Sequence, residues 1–166
     1  DDEQFVKQLA LEYKVPFYST HFDTKKYAVS RKISIQMAAR DLRYNWFAQL
    51  CTEHGYAFTA TAHHLDDQVE TFFINLLRGT GIGGLHGILT NNNGIIRPLM
   101  FATRQMISEY AAQKNLVWRE DKSNSSRKYL RNKLRLDIIP EFVKLDKDFS
   151  KKLNQTIHHL RDVEKV

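Results

Sequence analysis

One cysteine, three prolines and seven glycines are all that this 166-residue chain holds of the residues that staple, kink or loosen a backbone. A lone Cys51 closes no intrachain disulfide, which excludes a disulfide-scaffolded domain and points to a reducing cytoplasm. It falls within an apolar helical pattern and reads as a packing residue. Apolar runs are short; Phe72-Phe73-Ile74 stops at Asn75, so no segment reads as a membrane span. The opening Asp1-Asp2-Glu3 has the wrong charge for a secretion signal. Methionine is missing from position 1, and the chain is expected to be an internal piece of a longer one.

What is present is the balance of a globular protein, with 42% hydrophobic and 27% charged residues and length for one core. The net charge is +6, and the excess is concentrated. Arg119, Lys122, Arg127, Lys128, Arg131, Lys133 and Arg135 face only Glu120 and Asp121 in that stretch. Such a segment is either a solvated helix face or a surface that contacts phosphates.

Periodicity predicts a helix over 3–14, a strand over 15–22, a polar loop over 23–32 and a long helix over 34–54 ended by Gly55. A buried strand over 56–62 follows, then a helix from His64 to about Leu77. Further on, Asn91 to Gly94 reads as a turn, Ile95 to Leu99 as a strand, and 104–114 as a helix capped by Thr103. Leu116 to Trp118 is a strand candidate, 121–125 a polar loop, 129–139 a helix stopped by Pro140, and 148–165 a last helix. Helix–strand alternation predicts an α/β fold with a parallel sheet over 1–100, followed by a helical section over 101–166.

Glycine and charge meet in one place. His63-His64-Leu65-Asp66-Asp67-Gln68-Val69-Glu70-Thr71 stands where a strand ends and a helix begins, the usual ligand side of an open α/β sheet. His63, Asp67 and Glu70 share a helical face at spacings of four and three residues. Capping of a helix N-terminus accounts for Asp66 and Asp67 but leaves Glu70 and two imidazoles unexplained. A divalent-ion site is a competing use of the same residues, though no His-Glu-x-x-His pattern accompanies them. Gly79-Thr80-Gly81-Ile82-Gly83-Gly84 follows a helix rather than a strand, so it is no dinucleotide fingerprint. It reads either as a flexible helix-ending loop or as one whose bare backbone lets a large substrate approach. Upstream, Arg40 and Arg43 share one turn of the long helix and suit a phosphate or a developing negative charge.

Together, Ala39-Arg40-x-x-Arg43-Tyr44, Ala62-His63-His64-x-Asp66-Asp67-x-x-Glu70-Thr71 and Arg78-Gly79-x-Gly81-x-x-Gly84-Leu85 resemble the tRNA(Ile)-lysidine synthetases. So do Arg97-Pro98-Leu99, Asp121-x-Ser123-Asn124 and Arg131-Asn132-x-x-Arg135 ending at Ile139-Pro140. The resemblance implies an N-type ATP pyrophosphatase (PP-loop) domain with the adenine nucleotide alpha hydrolase-like fold. It implies an ATP-dependent carbon–nitrogen ligase that joins L-lysine to the wobble cytidine of a minor isoleucine tRNA through an adenylated intermediate. His63, Asp67, Glu70 and Arg43 are the implied catalytic group. Asp66, His64, Arg131, Arg135, Arg78 and Arg40 are the implied substrate contacts. ATP with Mg2+ is the implied cofactor pair, and a homodimer is an allowed assembly.

The family's phosphate-binding loop, Ser-Gly-Gly-x-Asp-Ser, does not occur in these residues. It is expected upstream of Asp1, and the chain alone is expected neither to hydrolyse ATP nor to form lysidine. Two alternatives stand beside this reading. One is a tRNA-thiolating enzyme of the same superfamily, which Cys51 on a packed helix fits badly. The other is a basic module that only docks RNA, which leaves the His63, Asp67 and Glu70 cluster without a task.

Overall fold

The computed structural model describes residues 2–119, 127 and 129–164. The expected polar loop at 121–125, with Asp121, Lys122, Ser123 and Asn124, and Lys128 of the basic segment lie outside the described residues. The chain forms two compact units, Asp1–Thr59 and Ala60–Val166.

The first unit is helical. Helix α1 (Asp2–Glu12) carries acids in its first turn, complementing the helix dipole, and ends with Val15 N–H donating back to Ala10. Helix α2 (Thr24–Arg31) occupies what the sequence predicted to be a polar loop. Its signal was a cap: the Asp23 carboxylate accepts the Lys26 N–H at 2.9 Å. Its end is an αL residue, Lys32, with Ile33 N–H returning to Ala28. Helix α3 (Ile35–His54) starts at Ser34, whose hydroxyl accepts the Met37 N–H, and stops at Gly55 with φ of 68°. Cys51 is partly buried, its sulfur 3.3 Å from the Thr59 hydroxyl.

The strand expected over 15–22 is not formed. A strand is completed by a neighbour's hydrogen bonds, and apolar alternation cannot say whether a neighbour is in reach. For the same reason the strand expected over 56–62 shortens to β1 (Thr59–Ala60), and Leu116–Trp118 forms no strand among the described residues.

The second unit is built on helix α4 (Leu65–Leu77). A 3-10 turn, Ile82–His86, absorbs the glycine run. Strands β2 (Asn91–Asn92) and β3 (Ile95–Ile96) form an antiparallel hairpin, with Asn91 opposite Ile96. Its two-residue turn, Asn93-Gly94, has φ of 49° and 77°, the turn that matches strand twist. The strand order is β1-β3-β2, and Thr61 N–H donates to Ile96. Helix α5 (Arg104–Gln113) begins at the predicted Thr103 cap.

Pro140 does not end a helix. Helix α6 (Leu130–Lys133) widens into a π turn, Leu134–Ile138, and continues as α7 (Ile139–Leu145) with Pro140 in its first turn. Proline lacks the donor an α turn needs there and collides with the carbonyl four residues back. The wider turn removes that conflict, with Ile139 N–H bonding Leu134 five residues earlier. Five-residue spacing also turns Leu134 and Ile139 to the same side, where both are buried against Val69. Phe73, Phe142 and Phe149 stack over this core, and helix α8 (Phe149–Val163) adds Leu153 to it.

Candidate active site on helix α4

The entry of α4 is tied down by backbone before any side chain is considered. Leu65 N–H donates to Ala102, and His64, in extended conformation, is the N-cap. The His64 N–H donates to Asp67 Oδ2 at 3.0 Å, so Asp67 folds back over the helix start. Asp66 reaches the other way and accepts the Arg104 N–H at 2.7 Å, capping α5. One acid of the pair therefore closes its own helix and the other closes a neighbour's.

The His64 ring lies between them, Nδ1 3.4 Å from Asp66 and Nε2 3.5 Å from Asp67. The Asp66 carboxylate holds the imidazole above the ordinary histidine value against the pull of burial, and Asp67 and Glu70 add to it. Burial pushes the Asp66 carboxyl up, but His64 and the Arg104 N–H outweigh it, leaving the group below the usual carboxylate range. His63 Nδ1 sits 2.9 Å from the Thr61 hydroxyl, which sets the plane of that ring.

Glu70, one turn further along, is fully buried. Arg135 Nε and Nη2 donate to its two oxygens at 2.6 and 3.1 Å, a bidentate pair. Arg131 Nε is 2.9 Å from the same carboxylate, and its Nη2 donates to Thr71 at 2.9 Å. Arg135 Nη2 is also 3.6 Å from Asp67 Oδ1. Glu70 raises the affinity of the Arg135 guanidinium for its proton still further. The spacing of 131 and 135 is one helical turn, which aims both arginines at one acid. The structure thus brings together His64, Asp66, Asp67, Glu70, Arg131 and Arg135.

Within the second unit, Arg78 stands apart from this cluster. Arg78 caps the far end of α4, about 20 Å from His64 at 1.5 Å per residue. Arg40 and Arg43 are exposed on α3 in the first unit, Arg40 stacked on Tyr44 at 4.6 Å. Of the basic segment, Arg119 and Arg127 are exposed, and Arg127 pairs with Asp137 at 3.1 Å.

Sequence reasoning passed over Gln68 and Arg161. The buried Gln68 amide accepts the Ile88 N–H, and Arg161 on α8 donates to the carbonyls of His86 (3.0 Å from Nε) and Ile88 (2.9 Å). Together they clamp the end of the glycine loop, where Gly87 has φ of 62° and a Cβ would meet the Gln68 amide at 2.6 Å. Nothing in the sequence marks these two. Arg97 did leave a signal, a charge inside the apolar run Ile95-Ile96-Arg97-Pro98-Leu99.

Among the described residues, no group of three metal-ligating side chains gathers at this site or elsewhere. No helix is long and apolar enough to cross a membrane, again among the described residues.

Residues 1–142 match the family model of the PP-loop domain. The chain is 44% identical over 162 residues to a tRNA(Ile)-lysidine synthase of Bacteroides thetaiotaomicron, covering 98% of this chain and 38% of that protein. It is 43% identical to the Porphyromonas gingivalis protein of the same name, over 98% and 36% of the two chains. It is 40% identical to that of Chlorobaculum tepidum, over 97% and 48%. The chain spans less than half the length of each of these relatives. A match across most of its residues, including the whole α4 site, makes this chain a member of the PP-loop domain family.

Proposed function

We propose that the protein carrying this chain is a tRNA(Ile)-lysidine synthase, a cytoplasmic ATP-dependent ligase, and that α4 presents its lysine-handling site. The observation that carries this reading is the acid–arginine cluster built on Asp67, Glu70 and Arg135. The named relatives, aligned over nearly the whole chain, support it.

In the proposed reaction the wobble cytidine's C2 oxygen attacks the α-phosphorus of ATP and pyrophosphate departs. The lysine ε-amine then attacks C2 and AMP leaves. Free lysine, with a pKa of about 10.4, arrives as an ammonium and must lose a proton before it attacks. Asp67 and Asp66, on either side of the His64 ring, offer the carboxylate charge that draws the cation. Asp67 and His63 are the groups able to accept its proton. Glu70 serves differently: its oxygens are committed to Arg131 and Arg135, so it holds these guanidiniums in place toward the adenylate phosphate. Arg43 and Arg40 belong to the same assignment as phosphate contacts, and Arg78 as a tRNA contact at the glycine loop. The parallel sheet of the family is likewise proposed for the longer protein. ATP, tRNA(Ile) with a wobble cytidine and L-lysine are the proposed substrates. The described residues offer no three-ligand metal cluster, so a Mg2+ ion would ride on the nucleotide's phosphates, and no step is assigned to it.

The test is lysidine formation by the longer protein with ATP, lysine and an isoleucine tRNA bearing a wobble cytidine. The wild type is expected to form lysidine, and Asp67→Asn to lose at least about a hundredfold in rate while tRNA binding persists. No lysidine from the wild type sinks the reading; an unchanged Asp67→Asn rate removes that side chain from the chemistry.

A further inference from the structure

We infer that Arg97 is a phosphate-binding residue at the end of β3. Its side chain is buried, with 7% of its surface exposed. Nη1 donates to the Leu89 carbonyl at 2.6 Å. Nε is buried and has no hydrogen-bond partner, and among the described residues no carboxylate forms an ion pair with this guanidinium. The partly buried arginines of this unit differ. Arg131 and Arg135 share Glu70, and Arg161 is met by two carbonyls.

Arginine stays charged at any pH a protein experiences, so burial cannot neutralise Arg97 as it would a lysine. A buried cation with one neutral acceptor is costly unless an anion completes it. The vacant edge of the guanidinium, Nε with Nη2, is the fork that grips two oxygens of an oxyanion. The backbone holds that fork still: Arg97 N–H donates to Thr90, and the preceding Ile96 accepts from Thr61, two residues before His63. Phosphate is the anion chosen because the proposed substrates, nucleotide and tRNA, both carry it. In that choice the inference rests on the function proposed above; the need for an anion does not.

The experiment compares the longer wild-type protein with Arg97→Met and Arg97→Lys by calorimetry and thermal unfolding, using inorganic pyrophosphate, ATP and tRNA as probes. Pyrophosphate is expected to raise the wild-type unfolding temperature. Arg97→Met should bind it about ten- to a hundredfold more weakly and lose the shift, with an unliganded unfolding temperature equal to or above that of wild type. Arg97→Lys should fall between them. An equal loss with ATP identifies the nucleotide as the source. A loss confined to tRNA, with the salt dependence reduced by about one phosphate contact, identifies the nucleic-acid backbone. Undiminished binding of all three probes by both variants overturns the inference. So does an Arg97→Met variant that unfolds far below wild type while Arg97→Lys binds normally. Pyrophosphate binding through Arg97 without lysidine formation would sink the proposed function and leave this inference standing.

Discussion

The two compact units bury different kinds of group, although both are rich in amphipathic helix. Among the described residues, the first unit buries Ala10, Ala28 and Ala38, while Leu11, Val29, Ile35, Met37 and Phe58 stay exposed. The second buries Leu65, Val69, Leu134, Ile139 and Ile157, and beside them Gln68, Glu70, Arg97, Asn132 and Ser150. The contrast is sharpest on α4, where Val69 packs the core and the next residue, Glu70, anchors two arginines. An acid–arginine cluster set one residue from a packed core inherits its rigidity. The arginines of α3 sit on a surface that offers no such support.

Breaking the buried acid should give the largest effect. Glu70→Gln leaves Arg131 and Arg135 without their shared counter-charge, and a loss of about 3 kcal/mol is expected by urea unfolding, with the slope unchanged. A loss below about 1 kcal/mol would mean that solvent screens the network and that the second unit is no more specifically built than the first.

Arg161→Ala comes next. It removes the donors held by the His86 and Ile88 carbonyls and should cost about 2 kcal/mol. Amide exchange should quicken first around 86–88, and uniform quickening instead would deny that Arg161 clamps this loop.

Ser34→Ala probes the first unit, where local caps matter more than buried polar groups. Losing the bond to the Met37 N–H should cost about 1 kcal/mol, read as fraying at the start of α3. A cost above that of Glu70→Gln would invert the comparison.

The legible parts of the fold were those with a local cause. Ser34 and Gly55 bracket α3 within a residue of the expected span, Thr103 starts α5, and Asn93-Gly94 makes the hairpin turn. The α2 helix was missed because its face is short and polar, though the Asp23 cap was there to read. The strand at 15–22 was overread because apolar alternation reports a burial preference, not a partner. Pro140 was overread because proline forbids a narrow turn, and a π turn is the exception that admits it. At the site, helical spacing brought Asp67 and Glu70 to one face. It could not reveal that Asp66 caps α5 or that Glu70 is committed to arginines more than sixty residues away.

Residue order by itself determined which side chains could share a face, because 3.6 residues per turn is a property of the backbone alone. It therefore put Asp67 and Glu70 on one face of α4, and local residue identity placed the Thr103 cap and the Asn93-Gly94 turn. Which acid is committed to a distant arginine or a neighbouring helix, which arginine has a counter-charge and which helix clamps the glycine loop were decided only by tertiary structure. Those outcomes depend on which distant groups share a dry environment, where a charge must find a partner and each partner taken is lost to other chemistry.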